Sequence, residues 1–234
     1  MMKPLGHRSY GSIPHLPGSR RGPSDRGCNE GQYKICCEKA RDKHDRIIVQ
    51  EKLDGSNVAI ANINGELVAL SRAGWLARTS PFKLHHLFAD WVDTNIKLFD
   101  FLPIGSRVCG EWLALAHGTI YKLSHGPFVA FDIMTGMNRM PHESFRETVG
   151  ERIPTVTTIH NDGPLAIGNA MALLGQSGFH GCSDGLPEGV VYRVERNGRV
   201  DFLAKYVRPD KQDGKYLPEL CGTETWLWRP NERS

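Results

Sequence analysis

Three short apolar runs follow one another with no helix-length segment between them: "RIIVQEK" (46–52), "NVAIANI" (57–63) and "ELVALSR" (66–72). The first two are rich in β-branched residues and the third in aliphatic ones, and the breaks between them, "LDGS" (53–56) and "NG" (64–65), hold glycine. That pattern predicts an antiparallel meander. Around it, "NEGQYKICCEKARDKHD" (29–45) has apolar residues at helical spacing, and a longer helix is expected over 81–102, opened by Thr79, Ser80 and Pro81. "RVCGEWLA" (107–114) and "FVAFDIM" (128–134) predict core strands, and 143–151 and 164–176 short helices. "EGVVYRVE" and "RVDFLAKYV" predict a terminal hairpin around Asn197 and Gly198. The order is strand-rich α+β rather than alternating βαβ, which argues against a Rossmann sheet.

Composition excludes several classes. No apolar run in the 234 residues approaches a bilayer span, and "MMKPLGHRSYGS" has no hydrophobic segment of a secretory signal. The six cysteines (28, 36, 37, 109, 182, 221) show no CxxC spacing, so they predict reduced thiols in a cytoplasmic protein rather than a zinc site. Net charge is only +3, but residues 1–50 hold ten Lys or Arg against five Asp or Glu. The basic N-terminal segment 1–28, with its Gly-, Pro- and Ser-rich stretch 7–27, fits either a phosphate-contacting arm or a solvated extension. The aromatic "WLW" (226–228) fits a packing patch or a stacking platform.

Five islands combine strand ends with charge: Lys52 with Asp54, Glu111 after Gly110, Asp132 after Phe131, Glu188 before Gly189, and Lys205 with Arg208. One lysine nucleophile, several carboxylates and a second cationic cluster suit nucleotidyl transfer, since carboxylates hold metal and ribose while cations neutralise phosphate. Any one island alone reads equally as an exposed turn.

In this order the islands resemble the ATP-dependent RNA ligases of the covalent nucleotidyltransferase superfamily, which also holds DNA ligases and capping enzymes. "EKLDGSN" (51–57) is similar to the superfamily's lysine motif, with Asn57 typical of the RNA ligase 2 branch. "SRAG" (71–74) is similar to the second motif, and "GEWLALAHGTIYKL" (110–123), carrying His117 and Tyr121, leads into "FVAFDI" (128–133). "EGVVYR" (188–193) and "AKYVRPD" (204–210) complete the series. His85, His86, His125 and His142 match no motif and are expected as surface or satisfied core histidines. The resemblance implies an α+β nucleotidyltransferase (adenylation-domain) fold of antiparallel sheets flanked by helices, an ATP-grasp-like ligase core. It implies one domain over 1–234, with a motif-bearing core of about 10–216 and no separate C-terminal OB or extra domain.

The resemblance also implies roles. Lys52 would attack the α-phosphate of ATP to form a lysine–AMP adduct, which requires its neutral amine; at pH 7 that costs about 4.6 kcal/mol from a reference pKa near 10.4. Burial and nearby cations, Lys205 above all, are expected to lower this cost. Lys205 would also bind the α-phosphate; Glu111 would hold the ribose, Phe131 stack on adenine, and Glu51 with its backbone read the adenine edge. Asp54 and Glu188 would hold Mg2+ (or Mn2+), with Asp132 in support, and Gly55, Asn57 and Arg72 would contact nucleotide or strand ends. Family members often carry two lysines, one residue apart, in the last motif. Here Leu203 takes the first place, and Arg208 is expected to supply the missing charge. AMP would pass to an RNA 5′-phosphate, and a 3′-hydroxyl would displace it. The implied partners are RNA ends or a nicked duplex and an end-healing enzyme, with no membrane, for a monomer. The alternatives are a minimal DNA ligase, a capping guanylyltransferase and a non-catalytic nucleic-acid-binding descendant.

Overall fold

The break at 53–56 does not return the chain to its neighbour. Asp45–Lys52 (β1) and Ser56–Ile63 (β2) lie in different sheets, which corrects the expected three-strand meander. Only β2 and Glu66–Ser71 (β3) form a hairpin, turning through Asn64 and Gly65, both at positive φ. The computed structural model describes residues 3–183 and 186–229; residues 1–2, 184–185 and 230–234 of the expected 1–234 domain lie outside the described residues.

Both edges of β1 are taken by distant strands, Gly189–Arg196 (β8) on one side and Thr158–Asp162 (β7) on the other. Arg199–Val207 (β9) completes this four-stranded sheet, in the order β7-β1-β8-β9. The second sheet runs β3-β2-β4-β5-β6, where β4 is Ser106–Trp112, β5 Phe128–Thr135 and β6 Asn138–Arg139. Every pairing between these nine strands is antiparallel. The short β6 and β7 have no counterpart among the expected strands, and the β8–β9 hairpin turns at Asn197 and Gly198 as expected.

Burial explains why β1 and β2 separate. Ile47 and Val49 pack with Val190, Tyr192 and Val194 under helices Glu30–Cys37 (α1) and Ile167–Leu174 (α4). Val58 and Ile60 pack instead with Trp112 and Phe128 under Lys83–Thr94 (α2) and His142–Val149 (α3). The intervening Ala59 and Ala61 face a further cluster with Tyr10, Leu70 and Cys109, so β2 is apolar on both faces because both faces are covered.

α1 is shorter than the 29–45 expected: a capping box between Asn29 and Gln32 starts it, and it ends at Cys37. α2 begins after Phe82 and ends at Thr94, shorter than the 81–102 expected, and a 3-10 turn over Ile96–Phe99 follows it. Ser80 still serves that start, accepting from the Phe82 amide at 3.2 Å and bonding the His85 ring at 2.6 Å. Cys37 and Cys109 are buried free thiols, and burial pushes both up to about 12. Trp228 packs on Trp112 with ring centroids 5.8 Å apart and Leu227 packs with Leu53 and Leu113, so these two side chains of "WLW" are packing rather than a free platform. Among the described residues no helix is long and apolar enough to cross a membrane.

The N-terminal segment is strapped across both sheets. Ser9 donates its amide to the Arg72 carbonyl at 3.1 Å and its carbonyl accepts from buried Arg107 at 2.7 Å. Five residues on, Lys205 of β9 donates to the Pro14 carbonyl and accepts from the Leu16 amide. The solvated-extension reading is thereby corrected for residues 9–16, while Arg21 and Arg26 remain exposed.

Candidate active site

A cavity of about 260 Å3 opens between the sheets, at the low end for small-ligand pockets, and Lys52 stands at the end of β1 in its wall. Its Nζ lies 2.6 Å from Glu188 Oε2 and 3.3 Å from the Leu53 carbonyl, and the side chain is 21% exposed. The pairing of Lys52 with Gly189 across β1 and β8 delivers Glu188 to that place. Glu111 arrives on β4, opposite Asn57 of β2, and its Oε1 accepts from the Gly55 amide at 3.1 Å. Gly55 allows this close pass, since a β-carbon there would stand 2.6 Å from the Trp112 carbonyl oxygen. Leu203 and Lys205, two apart on β9, line the same cavity, as do Arg72 and Phe131.

The electrostatics depart from expectation at Lys52. Burial alone would lower its pKa, but Glu188, Glu111 and Asp54 outweigh burial and hold the amine protonated above its usual range. Burial raises Glu188 as well, so the proton between the pair is firmly kept. Burial first, then the charge of Lys52, lower the pKa of Lys205, whereas the lowering expected at Lys52 does not occur. Glu111 is pushed up to about 7 by burial, with Glu188 and Asp54 adding and Lys52 opposing.

Several expected residues spend their polar atoms on other partners, although Glu51 and Asp132 still line the cavity. Asp132 is fully buried, and Arg193 takes one oxygen at 2.8 Å while Tyr10 (2.8 Å) and Arg139 (3.2 Å) donate to the other. With both oxygens so held it is a clamp between β5 and β8, which corrects the expected support of a metal. Arg208 donates to the Pro187 and Leu186 carbonyls and pairs with Asp210, so it fixes the approach to Glu188 and does not supply the missing charge to the cavity. Asp54 turns outward: its Oδ2 pairs with Lys211 and accepts from the Gly118 amide at 2.8 Å. The Glu51 Oε2 is held by His180 at 2.7 Å and the Phe179 amide at 3.1 Å on the far side of the strand. Phe131 meets Tyr10 edge-on at 5.0 Å, with its side chain on the cavity wall.

Sequence reasoning missed Tyr10, Gln50, Arg193 and Lys211. Gln50 was within reach, because strand alternation puts it on the face of Lys52; its buried Nε2 and the Oδ1 of Asn57 have no partner, and both residues line the cavity. The other three come from 42 to 159 residues away from Lys52 and carry no local signal.

The family model for RNA ligase matches residues 45–207, the span from the start of β1 to the end of β9. This chain belongs to the RNA ligase family. Among solved structures, an apo variant of the Naegleria gruberi RNA ligase is similar over 86% of this chain and 59% of its own, at 16% identity and a TM-score of 0.54. Another variant of that ligase, with ATP and Mn, gives 86% and 60% coverage, 15% identity and the same TM-score of 0.54. An archaeal ATP-dependent RNA ligase is 23% identical, with 70% and 42% coverage and a TM-score of 0.47. The Naegleria likeness is one of fold, the α+β nucleotidyltransferase arrangement of antiparallel sheets flanked by helices. The chain spans between 42% and 60% of the length of these three structures. No curated protein sequence matches it significantly.

Proposed function

We propose that this family member is an ATP-dependent RNA ligase joining a 3′-hydroxyl to a 5′-phosphate. The observation that carries the reading is the Lys52 amine at the wall of an inter-sheet cavity, with Lys205 on the same wall and Glu188, Glu111 and Asp54 around it. Lys52 Nζ attacks the α-phosphorus, the bond to pyrophosphate breaks, and a phosphoramidate forms. An RNA 5′-phosphate oxygen then takes the AMP and frees the amine. Finally a 3′-hydroxyl oxygen attacks the RNA 5′-phosphorus, and AMP leaves as the phosphodiester closes.

The unpartnered Gln50 amide and Asn57 oxygen fit a nucleotide, because each gains the hydrogen bond it lacks when a polar ligand fills the cavity. A side-chain amide offers both a donor and an acceptor, matching the adenine edge, whereas guanine presents two adjacent acceptors there. Lys205 neutralises phosphate oxygens, and Phe131 offers a ring face to the base.

The donor set also fits a divalent cation. Among the described residues no three His, Cys, Asp or Glu side chains form a ready cage, but Glu188 and Glu111 together, with Asp54 acting through water, suit a cation that keeps most of its waters. Bound there, Mg2+ or Mn2+ would offset the negative charge that holds Lys52 protonated and polarise the phosphoryl oxygens. Glu188 itself is the group placed to take the Lys52 proton, at 2.6 Å.

Mixing the chain with α-labelled ATP and Mg2+ tests the reading. Covalent label on wild type, lost in Lys52→Ala and chased into joined RNA by nicked or single-stranded ends, is the expected result. Label in Lys52→Ala equal to wild type refutes the assignment, and labelling by GTP in preference to ATP refutes the base choice.

A further inference from the structure

Lys211 is only 2% exposed, and no step above uses it. Burying an ammonium strongly opposes folding unless its charge is matched. Here the match is Asp54: Lys211 Nζ is ion-paired with Asp54 Oδ2 and lies 3.3 Å from Thr119 Oγ1. The same Asp54 oxygen accepts from the Gly118 amide at 2.8 Å, and the Asp54 amide donates to the Tyr121 hydroxyl at 2.9 Å. Farther out, Tyr216 donates its amide to the His117 carbonyl at 2.6 Å. The segment after β9 is thus laced to the 117–121 loop, and the two together grip the turn that carries Lys52. Gly118 is part of the fit, because a β-carbon there would collide with Lys211 Nζ and the Gln212 carbonyl.

Resting on the ligase reading, we propose that Lys211 is a positioning residue for lysine–AMP formation: it fixes Asp54 and, through the 53–55 turn, the line of approach of the Lys52 amine. This differs from a phosphate-binding role. Leu203, two residues before Lys205, lines the cavity, whereas Lys211 stands outside that lining, behind Asp54. The charge comes from the tail and acts on the turn, not on the nucleotide.

The test uses the full chain and single-turnover labelling by α-labelled ATP with Mg2+, with thermal melts fixing the folded fraction of each variant. Lys211→Met is expected to label about 100-fold more slowly per folded molecule, as for a displaced nucleophile, with half-saturating ATP changed less than about threefold. Lys211→Arg recovers most of the rate. Gly118→Ala, which keeps every charge but displaces Nζ, shows the same kcat-type loss and decides the matter if Lys211→Met does not fold. Adding Leu203→Lys to Lys211→Met restores nothing. Normal rates per folded molecule in Lys211→Met or Gly118→Ala overturn the inference, as do a loss confined to half-saturating ATP or rescue by Leu203→Lys. A wild type that takes no label overturns the ligase reading and this inference together; a labelled wild type with unaffected variants overturns this inference alone.

Discussion

At position 52 the side chain is held in the form that cannot react. A protonated amine in a buried carboxylate cluster is stable, and under the proposed function a bound cation that offsets those carboxylates frees its proton to Glu188. Glu111 reports the same charge surplus. Its carboxyl is pushed from 4.5 up to about 7, so the folded chain holds that proton more tightly than the unfolded chain does. The resulting stabilisation is complete below pH 4.5 and is lost as pH rises through 7. Glu111→Gln should therefore flatten the fall in denaturant midpoint between those limits, while wild type loses stability across them. An identical pH profile in the two proteins would count against a raised Glu111. That Lys52, Glu111 and Lys205 would come together was legible because each sits at or near a strand end, where register brings it to the cavity wall, and Glu188 reaches Lys52 the same way. Asp132 and Arg208 misled because the groups that occupy them, Tyr10, Arg139, Arg193 and the 186–187 carbonyls, are set by tertiary contacts.

Elements were read well where local chemistry governs them. The Asn197–Gly198 turn fits residues that tolerate positive φ, and the Asn29 capping box follows from side-chain groups three residues apart. Removing that cap with Asn29→Ala should cost about 1 kcal/mol of stability, read from chemical denaturation, and leave lysine labelling unchanged. Elements were misread where the deciding partner is remote. β1 could have paired with β2 on propensity alone, but eight residues of β8 and the cluster under α1 and α4 claim it. Likewise, nothing in the basic composition of residues 1–28 marks Ser9 to Leu16 as a strap joining β9 to the Arg72 end of the other sheet.

Across the whole molecule, the site exists only because two sheets with separate cores are fixed against each other. Arg193 does much of this. From β8 it reaches Asp132 on β5 at 2.8 Å and the Met140 carbonyl at 2.6 Å, while its Nε bonds Glu195, which in turn accepts from the His142 amide at 2.6 Å. Arg193→Met strips Asp132 of one of its two arginine partners and leaves buried Glu195 without its ion pair, and should destabilise the protein by about 3 kcal/mol. Equilibrium denaturation measures this, and a loss below about 1 kcal/mol would show that the sheets are held elsewhere.

The sequence by itself determined the strand-rich α+β class, the order of the islands and the place of Lys52 where a strand runs into a turn, because strand period, turn chemistry and motif spacing are local. Tertiary structure decided which sheet each strand joins, which carboxylates face Lys52 and which are held by arginine, and that a lysine from the tail grips Asp54. Those choices depend on groups far apart in the chain competing for the same buried partners, and no short window of sequence contains both competitors.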